Sequence, residues 1–153
     1  MNSIIKNIIA LSLLCLSTLL HAEDLIMLRS SQPFPETMSN LQNIIKQYGY
    51  VVSRVQRVDI GLTKMGYKTD KYRVVFFGKH EELQKLSDDY PELTAYLPLK
   101  IAIFSENDET LLVATDPVKF GEMFPDKALQ KYFRNWSKDV MAIFNEVRKT
   151  DDD

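Results

Sequence analysis

The run Leu97-Pro98-Leu99-Lys100-Ile101-Ala102-Ile103-Phe104, followed after a polar turn by Thr110-Leu111-Leu112-Val113-Ala114-Thr115-Asp116-Pro117, constrains this chain more than any other stretch. Leu99, Ile101 and Ile103 alternate with Pro98, Lys100 and Ala102, and a two-residue period puts one strand face against a core and leaves the other wetter. The intervening Ser105-Glu106-Asn107-Asp108-Glu109 consists of residues that hydrogen-bond their own backbone or tolerate unusual dihedrals, so the two runs are expected to form an antiparallel hairpin. Such a hairpin is not stable alone in water, and the remaining chain must cover it.

The covering material is ordinary in kind. The chain has 153 residues, 45% of them hydrophobic and 26% charged, which suits one compact domain with a single core. Residues 1–22 differ from the rest: Lys6 is their only charge, Ile8 to Leu20 is almost wholly apolar, and Leu20-His21-Ala22 ends on a small residue. This is the layout of a secretory signal peptide, cleaved after Ala22, and it places the protein in the periplasm or outside the cell. The apolar run is shorter than a bilayer requires and has no basic flank on its far side, so no membrane anchor is expected after cleavage. Cys15 lies within this run and lacks the small preceding residue of a lipid-modified cysteine.

Without residues 1–22 the chain keeps 18 basic and 21 acidic residues, a net charge of −3, with His80 as its single histidine and no cysteine. Thiol nucleophiles, disulfides and thiolate or histidine-rich metal centres are thereby excluded within one chain, and no cofactor is expected. The mild charge argues against a nucleic-acid partner, which leaves a basic footprint.

In chain order, Asp24 to Ser30 reads as a strand. A helix is expected from Pro35, because Met38, Leu41, Ile45 and Tyr48 recur at helical spacing before Gly49 supplies a left-handed cap. Tyr50 to Val58 is rich enough in β-branched residues for a second strand, and Asp59 to Lys68 predicts one or two helical turns. Lys71 to Gly78 is apolar on both parities from Val74, which predicts a central strand covered on both faces. A helix begins at His80, Tyr90-Pro91 interrupts it, and Asp116-Pro117 opens a short helix ending at Phe124-Pro125. Asp126 caps a last helix whose Leu129, Phe133, Trp136, Val140, Ile143 and Val147 follow alternating steps of four and three, a stripe expected to lie across the sheet. The expected fold is a single α+β domain over residues 23–150. Its mostly antiparallel sheet of about five strands follows the order β-α-β-β-α-β-β-α, and residues 151–153 form a solvated acidic tail.

Phe34, the helix after it, Gly49-Tyr50-Val51-Val52, Val58-Asp59-Ile60, Tyr72-Arg73-Val74, Leu97-Pro98 and Asp116-Pro117 resemble, in order and spacing, the domain of unknown function 302 family over about residues 24 to 148. The resemblance implies a compact α+β domain, often dimeric, with no established biochemical role. Two departures stand out. Where many members look like Cys-Asn-Pro after the central strand and Leu-Pro-Cys before the hairpin, this chain has Gly78-Lys79-His80 and Leu97-Pro98-Leu99. Any thiol or metal chemistry of those cysteines is closed to it.

The densest local charge is Arg54, Arg57, Lys64, Lys68, Lys71 and Arg73 against Asp59 and Asp70. Arg54, Arg57, Asp59, Lys64, Tyr67 and Arg73 are therefore the candidate ligand-binding residues for a small anion or acidic partner, since arginine matches carboxylates and phosphates bidentately. The same residues also read as solvated strand faces that discourage edge pairing. His80 reads as an exposed helix-start residue beside Glu81 and Glu82, which repel a phosphate. No serine has a positioned base, so no catalytic residue is assigned. These features favour a non-enzymatic exported domain that binds a small ligand or a partner protein in the groove between sheet and helices. The alternatives are a structural homodimerisation module and a metal-independent enzyme using carboxylates and arginine, such as Asp59 with Arg57.

Overall fold

The computed structural model describes residues 24–151; residues 1–22 and the expected cleavage point lie outside them, as do Asp152 and Asp153. The elements run β1 (Leu25–Ser30), α1 (Phe34–Gln47), β2 (Val51–Arg57), α2 (Val58–Lys64), β3 (Tyr72–Gly78), α3 (His80–Asp89), a 3₁₀ segment (Pro91–Tyr96), β4 (Leu99–Glu106), β5 (Glu109–Thr115), a second 3₁₀ turn (Pro117–Lys119), α4 (Phe120–Met123) and α5 (Lys127–Lys149). The strands form one antiparallel sheet in the order β1-β5-β4-β3-β2. This is the α+β domain expected, with five strands and a long last helix.

Local chemistry explains the boundaries. Pro35 sits in the first turn of α1, where its missing N–H costs nothing, and Gly49 takes φ +77° beyond the helix end. The Asp126 carboxylate accepts from the backbone N–H of Ala128 at 2.7 Å and caps α5. The hairpin is tighter than expected. β4 and β5 extend to Glu106 and Glu109, leaving only Asn107 (φ +48°) and Asp108 (φ +68°) as the loop. Two consecutive positive φ values match the twist of a two-residue hairpin, and Asn and Asp tolerate them best among residues with a side chain.

All the long helices lie on one side of the sheet. The core joins Leu28, Val75, Phe77, Ile101, Ile103 and Leu112 of the strands to Leu41 and Ile45 of α1 and to the whole predicted α5 stripe. Phe144 and Ser137 of α5 are buried as well. In β2 the apolar residues facing this core, Val52 and Val55, are three apart, which strict alternation forbids. A bulge at Ser53 resolves the conflict by shifting the register between Val52 and Arg54.

The expectation for β3 needs correction. Val75 and Phe77 are buried against helices, but Val74 and Phe76 are only half-buried and do not join the core. They share the opposite sheet face with Met27, Ala102, Phe104, Leu111 and Val113; Leu111 is buried among its neighbours on that face, and none of these residues belongs to the cluster under the helices. Apolar residues on both parities therefore mark here a sheet with one helix-covered face and one apolar face that the helices leave bare.

Asp151, the one described residue of the expected acidic tail, is held rather than free in solvent. Asp151 accepts hydrogen bonds from the Ser30 hydroxyl at 2.6 Å and from the Ser31 backbone N–H at 3.3 Å. Gln32 donates to the Thr150 carbonyl, and Asn40 to Thr150 Oγ1 at 3.2 Å, so the end of α5 is tied to the β1–α1 turn.

Candidate functional site

The six residues singled out from the sequence separate into three places. Asp59 opens α2 rather than continuing β2, because the strand ends at Arg57. Its ion pair is with Arg73 of β3, both side chains being largely buried, and not with Arg57. Arg57 is the cross-strand neighbour of Arg73. The hydrogen bond from Arg73 holds the Asp59 carboxyl below its usual range, aided by the Ile60 backbone N–H. Arg73 also stacks over the Phe34 ring, with its guanidinium carbon 5.8 Å from the centroid. Asp59 and Lys64 line an open depression with Thr63, Asp70 and Lys71. Tyr67 is exposed on the loop that follows. Arg54 is exposed and opposes Phe76, which places it on the other face of the sheet. The structure thus joins Asp59, Arg57 and Arg73 and leaves Arg54 apart, with the best-placed guanidinium already paired.

A more enclosed space lies at the other end of the domain. A cavity of about 300 Å³ is bounded by Leu99 and Ala114 of the sheet, Tyr96 of the first 3₁₀ segment, Pro117 of the second, Phe120 of α4 and Val140 of α5. Its position follows from the chain. Asp116 caps the turn after β5 by accepting from the Val118 N–H at 3.1 Å, and Pro117 then directs α4 back over the sheet end. The Leu97–Pro98 peptide leading into β4 is cis. Behind the lining residues Tyr96 and Phe120, Phe124 and Phe133 extend the aromatic cluster, with ring centroids 5.4 to 6.4 Å apart.

Polar groups stand at the rim, where Lys100, Thr115 and Lys119 meet solvent. Lys119 is engaged by Asp24 at 2.8 Å and Glu122 at 3.3 Å, and these hydrogen bonds raise its pKa. Among the described residues, no carboxylate lies within ion-pair distance of Lys100. None of the six residues singled out from the sequence lines this cavity. The available signal was Asp116-Pro117 beside the alternating strand, since a capped turn at a strand end folds a short helix over the sheet.

His80 begins α3, exposed, as its neighbours suggested. Among the described residues no three histidine, cysteine or acidic side chains converge on a metal-sized site, and no helix is long and apolar enough to cross a membrane.

One antiparallel sheet, helices on a single face and a cavity at the sheet end define a two-layer α+β domain. The chain belongs to the family described as Domain of unknown function DUF302, which it matches over residues 26–147. Among solved structures it is similar to the crystal structure of an uncharacterized conserved DUF302 protein from Bacillus stearothermophilus. The TM-score is 0.75 at 21% identity, over 83% of this chain and all of that one. Comparison with curated proteins finds no match.

Proposed function

We propose that this chain is an exported, non-enzymatic binding domain that takes a small, largely apolar molecule into the cavity between the sheet end and α4–α5. The cavity itself carries the reading. A space of about 300 Å³ with aliphatic and aromatic walls and a few polar groups at its mouth is the usual form of a small-molecule site. Apolar walls supply affinity by releasing water, whereas Thr115 and Lys100, the rim cation not already paired as Lys119 is with Asp24 and Glu122, favour a ligand whose polar end is anionic. Export is supported by the apolar leader ending at Ala22, and intact mass of material recovered from the periplasm tests it by showing whether the chain begins at Glu23.

Thermal unfolding with octanoate as probe tests the binding reading. Occupation at 100 times the dissociation constant stabilises a protein by about 2.7 kcal/mol, a rise of several degrees in Tm. Ala114→Leu, which fills the cavity from its sheet wall, should abolish that rise while the variant alone still unfolds cooperatively. A shift of equal size in the variant removes the cavity from the proposal.

A further inference from the structure

We propose that the outer edge of β1 docks an extended segment of another protein, which adds to the sheet as a sixth strand and carries basic residues on either side of an apolar one. β1 lies at one end of the sheet and β2 at the other. The Asp116 N–H donates to the Asp24 carbonyl at 2.9 Å, so these two residues form a hydrogen-bonded pair just beyond the pair of Leu25 and Thr115. Such pairs recur at every second residue of an antiparallel ladder. The N–H and C=O groups of Ile26, Leu28 and Ser30 therefore turn toward β5, and those of Leu25, Met27 and Arg29 turn outward. Among the described residues no turn or loop backbone bonds to these outward groups.

The two edges are finished differently. β2 carries the bulge at Ser53 and the exposed Arg54 and Arg57, devices that keep an edge from pairing. β1 pairs through six residues with no shift of register, and Leu25 and Met27 stay 45% and 53% exposed. Its one charge, Arg29, is drawn inward over the sheet by Glu106 and Glu109. An even, apolar, unguarded edge is what strand addition uses: main-chain bonds supply affinity and alternate side chains supply specificity. Charge selects the partner. At one end of the edge the Arg29 guanidinium faces two carboxylates, a net charge of −1, and at the other Lys119 is shared by Asp24 and Glu122, again a net of −1. A strand with an apolar centre against Met27 and cations at both ends complements this edge.

Amide hydrogen exchange read by NMR tests this, with the capped peptide Lys-Lys-Thr-Val-Thr-Lys-Lys as probe at up to about 1 mM. Its paired lysines offer one side chain to each face of the sheet at each end. In the protein alone the Leu25, Met27 and Arg29 amides should exchange fast and those of Ile26, Leu28 and Ser30 slowly, and the peptide should slow the first set at least tenfold. Met27→Pro, which removes an N–H outside the ladder, should abolish binding with the circular dichroism of the sheet retained. Glu106→Gln combined with Glu109→Gln should weaken binding at least fivefold, and the peptide with every lysine replaced by glutamate should not bind. No protection at 1 mM, protection confined to another element, binding that survives these variants, or equal binding of the acidic peptide overturns the proposal. Outward amides that are already slow in the concentrated free protein and become fast on dilution would assign the edge to a second copy, and overturn it as well.

Discussion

The Tyr50 hydroxyl donates to Asp139 Oδ2 at 2.6 Å, joining the residue after the α1 cap to the middle of the last helix. Lys79 lies on the same spot, its ammonium 3.7 Å from the Asp139 carboxylate and 4.5 Å from the Tyr50 ring centroid. The tyrosine ring in turn packs edge-on to Phe77 at 5.3 Å. The α1–β2 junction, the end of β3 and the middle of α5 are thus held together at one point.

Removing that hydroxyl has a defined cost. Tyr50→Phe keeps the ring and leaves Asp139 to Lys79, so the loss should be about 1 to 2 kcal/mol, read from chemical denaturation. Burial, and then the Asp139 carboxylate, push the Tyr50 phenol well above the usual tyrosine range. Ultraviolet titration of the folded protein should therefore show a tyrosine that resists ionisation in base, absent in the variant. Equal stability of the two proteins would refute the role given to this contact.

Trp136 is 2% exposed at the centre of the α5 stripe, and its indole N–H donates to Glu82 at 2.8 Å. Trp136→Ala removes apolar burial and leaves a void beneath α3, at an expected cost of roughly 3 to 5 kcal/mol. Set against a total stability of about 5 to 15 kcal/mol, the variant should melt far below the wild type or fail to fold. Trp136→Phe, which keeps most of the packing and loses the Glu82 bond, should fall between the two in the same melting experiment. An unchanged melting point for Trp136→Ala would show that this stripe is not core.

Asp59 makes stability depend on acid. Its folded pKa is depressed by Arg73, so the stabilisation from the pair is fully present above the ordinary carboxylate pKa of about 3.9 and disappears as pH falls through the lower folded value. Arg73→Gln should lower Tm at neutral pH by a few degrees, and the gap to the wild type should close on acidification below about pH 4. A gap that stays constant down to pH 2 would mean that the guanidinium acts through packing on Phe34 rather than through charge.

Most of the fold can be read in the residues because its signals are local. Leu99, Ile101 and Ile103 carry the strand period, Gly49 and Asp126 carry the helix ends, and the α5 stripe names its own buried face. Ser53 is different. Nothing near it in sequence announces a bulge, which arises because Val52 and Val55 must both reach the core on β2. The one-sided helix layer was equally hidden, since a run such as Val74-Val75-Phe76-Phe77 has the same pattern whether its second face meets helices or none. The clustered arginines drew attention in sequence, yet Arg73 is neutralised by a residue fourteen positions earlier and Arg54 lies across the sheet. The cavity, by contrast, is assembled from six separate elements, with no spacing linking Tyr96 to Phe120 or Val140.

Leu25 pairs with Thr115, and β5 is the strand on which β1 depends for its place in the sheet. β2, β3 and β4 join as successive antiparallel neighbours, while β1 has no place in the sheet until β5, the last strand in sequence, is available to pair with it. The helix that seals the sheet lies later still in sequence, and Asp151 reaches back across the domain to Ser30. The earliest strand of the domain is thus placed by the longest-range strand pairing in it, so closing the sheet is the step that loop-closure entropy opposes most.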